Sequence, residues 1–262
     1  MSLAQFFEQE INVYSYLYYR LVKEINNLLE SNKRAALKQE LIEEIVSYLQ
    51  RRSSKICQKA YEKLNKIEEI YRNSGFDIVS FEAKLEERGL FGASQHFSIL
   101  LFEVGLEFDP YLNTPIIPGS SLKGAIRSSW RSLFSNKFVD AENTIFGSKD
   151  KIGACIFHDG YPIKPGKNNC LLYPDVITPH YIKEGQDILK ETETELRPKV
   201  YLTVAPETVF KFIIAIPEDL NKELKKMLIK AILETLKIGI GGKTSIGYGR
   251  FSLINMNIGV FK

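Results

Sequence analysis

The sequence is poor in what disulfide, metal and histidine-driven chemistry require. It has three cysteines, Cys57, Cys155 and Cys170. They are odd in number, far apart and in no Cys-x-x-Cys spacing, which points away from a disulfide framework or a thiolate zinc site and leaves them as reduced core residues. The three histidines, His96, His158 and His180, have no acid–base partner at motif spacing, and no histidine–carboxylate cluster is spaced for a metal. No apolar run approaches the length that crosses a bilayer, and the first residues lack the basic, apolar and small-residue segments of a secretory signal. The expectation is a cytoplasmic, non-enzymatic protein without cofactor or metal, in which His180 is structural and Asp159 and Asp175 serve turns or caps.

What is present is the material of a globular protein: 44% hydrophobic and 26% charged residues, enough for one substantial core plus an accessory layer. The formal net charge of +3 is small for this size, so any site for a polyanion must be a local concentration of charge.

Proline and glycine are absent from Glu10 to Arg72, where Leu, Ile, Lys and Glu dominate. That segment reads as helices, with Leu37, Leu41, Ile45 and Leu49 as one stripe, Lys38, Glu40, Glu43 and Glu44 between them, and a cap and break at Ser31-Asn32. After Gly75 the texture changes. Apolar, β-branched and aromatic runs at Phe97–Phe108, Ile152–His158, Val200–Val204, Val209–Ile216 and Arg250–Ile258 read as strands. Two helices fall among them, over about Ser120–Phe134 and Asp219–Ile238. The second has an apolar face of Leu220, Leu224, Met227, Leu228 and Ala231, with Lys222, Lys225, Lys226 and Lys230 outside it. Lys183–Lys199 has no period and reads as a loop. The order strand, helix, strands, helix, strand matches the split β-α-β pattern of an α+β, ferredoxin-like (RRM-like) fold. We therefore expect a helical region over residues 1–75, packed on or inserted beside a core over residues 76–262.

Two segments carry chemistry. Pro118-Gly119-Ser120-Ser121-Leu122-Lys123-Gly124-Ala125-Ile126-Arg127 is a turn followed by a serine able to cap a helix. Leu122, Ala125, Ile126, Ser129, Trp130 and Leu133 form its buried stripe, and Lys123, Arg127 and Arg131 form a basic ladder at spacing four. Free N–H groups and the partial positive charge of a helix start favour a phosphate. On this segment alone, an ordinary capped amphipathic helix with a solvated basic edge is a sufficient explanation.

Gly239-Ile240-Gly241-Gly242-Lys243-Thr244-Ser245-Ile246-Gly247-Tyr248-Gly249-Arg250-Phe251 follows the second helix. Its glycines let successive N–H groups approach an anion closely. Lys243, Thr244, Ser245 and Arg250 add donors, and Tyr248 adds a ring for a base. A phosphate-binding P-loop needs glycine where Lys237 stands, and the dinucleotide fingerprint needs glycine where Thr244 stands, so neither applies. A helix C-terminal cap accounts for one or two of these glycines but not for five in eleven positions.

The segments IPGSSLKGAIR and GIGGKTSIGYGRF together resemble the paired signatures of the RAMP superfamily, RNA-binding proteins of CRISPR systems. IFGSKDKIGACIFHDGYP resembles that family's phenylalanine-glycine turn and following strand, and LLYPDVITPHY resembles a segment typical of the sixth subunit of type III-B Cmr effectors. The resemblance implies a modified ferredoxin-like RNA-binding fold near the 3′ part of the guide RNA (crRNA), with guide RNA, target RNA and other Cmr subunits as partners in antiviral defence. By it, Ser120, Ser121, Lys123, Arg127, Gly239, Gly241, Gly242, Lys243, Gly247, Gly249 and Arg250 are expected RNA contacts; Arg131, Thr244, Ser245 and Tyr248 join them from the residue chemistry above. Catalytic backbone relatives carry an aspartate in the loop after the first strand, within a valine-aspartate-leucine-proline setting. Glu107-Phe108-Asp109-Pro110-Tyr111-Leu112 lacks that setting, so the resemblance implies a non-catalytic scaffold. A repeat-processing endoribonuclease of the same superfamily, and an assembly module that touches RNA incidentally, are the alternatives.

Overall fold

A computed structural model describes residues 10–24, 31–92, 97, 104–177 and 199–259. In chain order the elements are α1 (Val13–Lys23), α2 (Ser31–Asn73), β1 (Phe76–Leu85), β2 (Phe108–Asp109), β3 (Thr114–Pro115), α3 (Gly119–Phe134), α4 (Val139–Phe146), β4 (Ile156–Phe157), β5 (Tyr161–Lys164), β6 (Leu172–Ile177), β7 (Lys199–Val204), β8 (Val209–Pro217), α5 (Lys222–Ile238) and β9 (Phe251–Ile258). This is a mixed α+β architecture of helices and antiparallel sheet. Among the described residues, no helix is long and apolar enough to cross a membrane.

The main sheet runs β4–β8–β1–β9, with β5 also pairing β8, and every pairing is antiparallel. Strand β8 lies between the two strands that α3 connects in sequence. From Val209 to Ile216 every residue of β8 is buried, because the sheet is covered on both faces. On one face Val79, Phe81, Ala83 and Leu85 of β1 and Phe210, Phe212 and Ile214 of β8 join a core with Leu122, Ile126 and Trp130 of α3 and Leu228, Ala231, Ile232 and Leu236 of α5. Phe81 stacks on Phe212 at a centroid distance of 4.8 Å. On the other face, Ala60 and Leu64 of α2 pack on Ile78, Ile213 and Ala215.

The N-terminal helices form as their composition dictates. Leu37, Leu41, Ile45 and Leu49 are all buried, and α2 starts at Ser31, where the break was expected. Glu44 departs from the expected solvent face: it is buried and takes Arg20 at 2.8 Å, which ties α1 to α2.

Several other expectations are corrected. The first strand of the main sheet is Phe76–Leu85, which the apolar-run reading passed over. Residues 97–108 contribute only a Phe97–Leu106 bridge and the start of a two-residue strand among the described residues. Leu172–Ile177 is also a strand, paired with β7. Leu133 is exposed, while Phe134 in the same turn packs against the core beside Trp130. Lys225 is buried, since it faces Asp77 of β1 at 2.6 Å and also donates to the Glu218 carbonyl. Most of the expected 183–199 loop, together with His96 and His180, lies outside the described residues. The three cysteines are free and buried, and burial pushes the thiols of Cys57 and Cys155 up to about 12.

The Lys225–Asp77 pair links the α3/α5 layer to the sheet, and its energetics can be read by mutation. Removing the carboxylate while the ammonium stays buried (Asp77→Ala) should cost about 3–5 kcal/mol, whereas Lys225→Met, which removes the charge and keeps the stem, should cost less. Chemical denaturation of both variants checks the order.

Candidate nucleic-acid interface

The glycine-rich turn closes against the segment that follows β1. The Gly242 amide donates to the Leu90 carbonyl, the Gly249 amide to the Arg88 carbonyl, and the Ile240 amide to the Gly249 carbonyl. Two glycines are demanded by this geometry. A Cβ on Gly241 would lie 2.4 Å from the Leu90 carbonyl oxygen, and one on Gly249 would lie 2.0 Å from that of Ile240; both have positive φ. Gly241 therefore lets the turn approach the segment after β1, and Gly249 lets the turn fold back on its own Ile240. Gly239 and Gly249 are buried; Gly241 is exposed, and Gly242 and Gly247 are half-buried.

The side chains of this turn meet the β6–β7 hairpin. Asp175 of β6 accepts from Arg88 at 2.5 Å, from the Tyr201 hydroxyl at 2.5 Å, from the Tyr248 hydroxyl and from the Val176 amide. Burial pushes the Asp175 carboxyl upward, but the two phenols, the amide and the Arg88 charge outweigh it and hold it below the usual range. The phenol of Tyr248 is pushed up, by burial first and by its bond to Asp175 second. Lys243 donates to the Tyr201 hydroxyl at 2.6 Å and lies 4.8 Å from that ring's centroid and 5.4 Å from Tyr248's. Arg88 lies 5.5 Å from the centroid of Tyr173. Arg250, Ser245 and the apolar Ile246 project outward, and Thr244 is half-buried. The amides of Gly239, Ile240, Gly242, Ile246, Gly247, Tyr248 and Gly249 already donate to protein carbonyls, which corrects the expected amide cradle, and the Tyr201 ring is buried. The cations with the half-buried rings of Tyr173 and Tyr248 are what can hold phosphates and stack bases.

The α3 entrance is elsewhere. Its N-cap is Pro118, which makes no side-chain cap, so the expected serine cap is corrected. The first amide, Gly119, donates instead to Asp159 at 2.7 Å, and a Cβ on Gly119 would lie 2.2 Å from the Phe157 carbonyl oxygen. Ser120 is exposed, and Ser121 and Lys123 are half-buried. Arg127 and Arg131 do share a face, as expected, but Glu142 of α4 takes both, at 2.5 and 2.7 Å. Bonding from Arg131 and then Arg127 holds the Glu142 carboxyl below its usual range.

The two expected segments thus form two places. Phe157, beside the helix entrance, registers through Ile214 with Val79, whereas the glycine turn sits by Phe251, which registers with Leu85. Six residues of strand, about 20 Å, separate those levels. An extended polynucleotide can reach both; a single phosphate cannot.

Sequence reasoning missed Arg88, Tyr173 and Tyr201, and read Asp175 as a turn residue. Asp175 is instead the hub that joins the hairpin to the glycine turn. Asp109 is buried and accepts from the Tyr111 and Leu112 amides, from Tyr161 at 2.9 Å and from Lys63 at 3.1 Å. Nδ1 of His158 lies 2.9 Å from the Asp159 carbonyl oxygen. Among the described residues, no three of His, Cys, Asp and Glu gather as they would around a metal ion.

Comparison with known proteins gives a consistent kinship. The RAMP superfamily profile matches residues 101–252. The chain is 34% identical over 240 residues to the CRISPR system CMR subunit Cmr6 of Saccharolobus solfataricus, covering 91% of this chain and 78% of that protein. It is 28% identical over 197 residues to the CRISPR system Cms endoribonuclease Csm3 of Streptococcus thermophilus, covering 67% of this chain and 86% of that protein. Among solved structures, a chain in the type III-B Cmr-beta complex bound to cognate target RNA superposes with a TM-score of 0.73 at 26% identity, over 95% of this chain and 93% of that one.

The Asp175 network has a pH signature. Its folded carboxyl lies below the ordinary value of 3.8, so its stabilisation is complete above that value and is lost as pH falls through the lowered one. Asp175→Asn should lower Tm at neutral pH, by the equivalent of about 2 kcal/mol. The gap to wild type should narrow only on acidification below about pH 4. Thermal melts across pH check both.

Proposed function

The chain belongs to the RAMP superfamily, and from that membership we propose that it is a non-catalytic RNA-binding subunit of a type III-B CRISPR Cmr complex. In this reading it holds the 3′ part of the guide RNA beside target RNA, contacts neighbouring Cmr subunits and acts in cytoplasmic antiviral defence. The observation that carries the reading is the glycine-rich turn docked on the β6–β7 hairpin. There Arg88 lies over Tyr173 and Lys243 over Tyr201 and Tyr248, with Arg250 exposed two residues past Tyr248, in a chain 34% identical to Cmr6 over nearly its whole length. The core is read as ferredoxin-like, because β8 sits between two strands joined through a helix and the second helix precedes the edge strand β9.

The non-catalytic part of the proposal rests on Asp109. Two backbone amides, a phenol and a lysine hold it, and burial raises its carboxyl less than those bonds lower it. An anion so occupied is a turn-former that also anchors α2, through Lys63, to the following segment. The similarity to the endoribonuclease Csm3 favours a second reading, cleavage of RNA by this chain. Incubating the assembled complex with target RNA decides between them. We expect the cuts to be unchanged when this chain carries Asp109→Asn or His158→Ala; loss of a defined cut in either variant would establish the enzymatic reading.

RNA binding itself is tested by titrating the purified chain with an unstructured oligoribonucleotide over a range of salt. Binding should weaken steeply with salt and depend little on sequence. Lys243→Ala with Arg250→Ala should lower affinity about 10-fold at low salt and flatten the slope of log K against log salt by about 1.4, the value for two phosphate contacts on a single strand. Salt-independent affinity, or none, would contradict the proposal.

A further inference from the structure

We propose that the loop from Gly147 to Gly153, together with Lys123, is a second phosphate-backbone site for single-stranded RNA, separate from the glycine-rich turn. This deepens the RNA-binding reading and rests on it.

The loop Gly147-Ser148-Lys149-Asp150-Lys151-Ile152-Gly153 joins the C-terminus of α4 to the segment before β4. Its form is fixed. Gly147 bridges Ile152, the Ser148 amide donates to the Lys151 carbonyl at 2.8 Å, and the Ala154 amide donates to that of Thr144 at 2.8 Å. The Asp150 amide donates to the Ser148 hydroxyl at 3.3 Å. Neither end has room for a side chain: a Cβ on Gly147 would lie 2.7 Å from the Gly153 nitrogen, and one on Gly153 would lie 2.6 Å from the Phe146 carbonyl carbon. Gly147 also has φ of +83°. The loop's backbone is therefore held ready, and little backbone ordering entropy is lost when a ligand is engaged.

Lys123, from the first turns of α3, comes to this loop. With Phe146 and the loop it lines a cleft of about 350 Å³. Three ammonium groups, Lys123, Lys149 and Lys151, face this cleft against one carboxylate, Asp150. None of the three lysines has an ion pair with a described residue. This sets Lys123 apart from Arg127 and Arg131 on the same helix face, which Glu142 neutralises. Ile152 is 94% exposed at the rim, where an apolar side chain can meet a ribose or the face of a base.

A small apolar metabolite does not suit an open cleft with this charge, and a lone phosphate would leave the spread of three cations and the apolar rim unused. A strand with repeated phosphates and intervening bases uses all of them. The site also gives the Lys123 end of the α3 motif a partner of its own, about 20 Å of strand rise from the glycine turn.

The test uses the full chain, a uridine-rich unstructured oligoribonucleotide, and fluorescence anisotropy from low to high salt. Lys149→Ala with Lys151→Ala should weaken binding about 10-fold at low salt and flatten the salt slope by about 1.4, with the variants converging at high salt. Lys149→Arg with Lys151→Arg should bind as wild type does. Lys222→Ala with Lys230→Ala, an equal loss of charge on the exposed face of α5, should have a much smaller effect. If the loop variant binds like wild type while Lys243→Ala with Arg250→Ala is weakened, this inference is overturned and the RNA-binding reading stands. Equal losses in the loop and α5 variants would also overturn it, as general charge attraction. A wild-type chain that binds no RNA at low salt would overturn both.

Discussion

The fold depends on the burial of β8 and β1 from both sides. A strand with every residue from Val209 to Ile216 buried needs an apolar cover above and below. The α3–α5 pair supplies one cover and the second half of α2 supplies the other. The long helix is therefore part of the same body as the sheet, and it explains why a helix of 43 residues carries its stripe so far. One consequence reaches function. Where α2 lies across the sheet's centre the sheet face is covered, and on the proposed reading recognition falls to the turns at the ends of strands and helices.

Those turns are built stiff. The glycine-rich turn bonds the backbone of Arg88 and Leu90 and meets Leu90 at a distance only glycine permits, and Asp175 then bonds Arg88, Tyr201 and Tyr248 at once. A single partly buried carboxylate orients a guanidinium and two phenols, and one of those phenols holds Lys243. The negative charge in the midst of a cationic patch is thereby a positioning device: it is consumed by its donors and fixes where the remaining cations point. The same principle, in opposite sense, acts on α3. There Glu142 consumes Arg127 and Arg131, and Asp159 consumes the first amide, so the motif's capacity for an outside anion narrows to Lys123 and its neighbours.

Much of this was legible in the sequence, and the failures share a cause. The density of glycines in residues 239–249, the stripe on α2, the bounds of α3 and the apolar run of β8 are local signals, and local reading found them. β1 is masked in the sequence although Val79-Ser80-Phe81-Glu82-Ala83-Lys84-Leu85 alternates strictly, because the apolar run at 97–108 is denser; period-two alternation is the better guide. The burial of Glu44 and Lys225 could not be read, since each charge is made tolerable by a partner far along the chain, Arg20 and Asp77. Asp175 was misread for the same reason, its donors lying 87, 26 and 73 residues away. The separation of the two motifs followed from sheet register, which neither motif encodes.

The central claim is that the docked glycine turn carries RNA. Photo-crosslinking of a reconstituted type III-B complex, with 4-thiouridine placed through the 3′ part of the guide RNA, followed by mass spectrometry of this chain, tests it most directly. Crosslinked peptides from residues 239–250, with Tyr248 among the modified residues, are the predicted result. Crosslinks confined to α1 and α2, or a chain that assembles into the complex without any contact to the guide RNA, would contradict it.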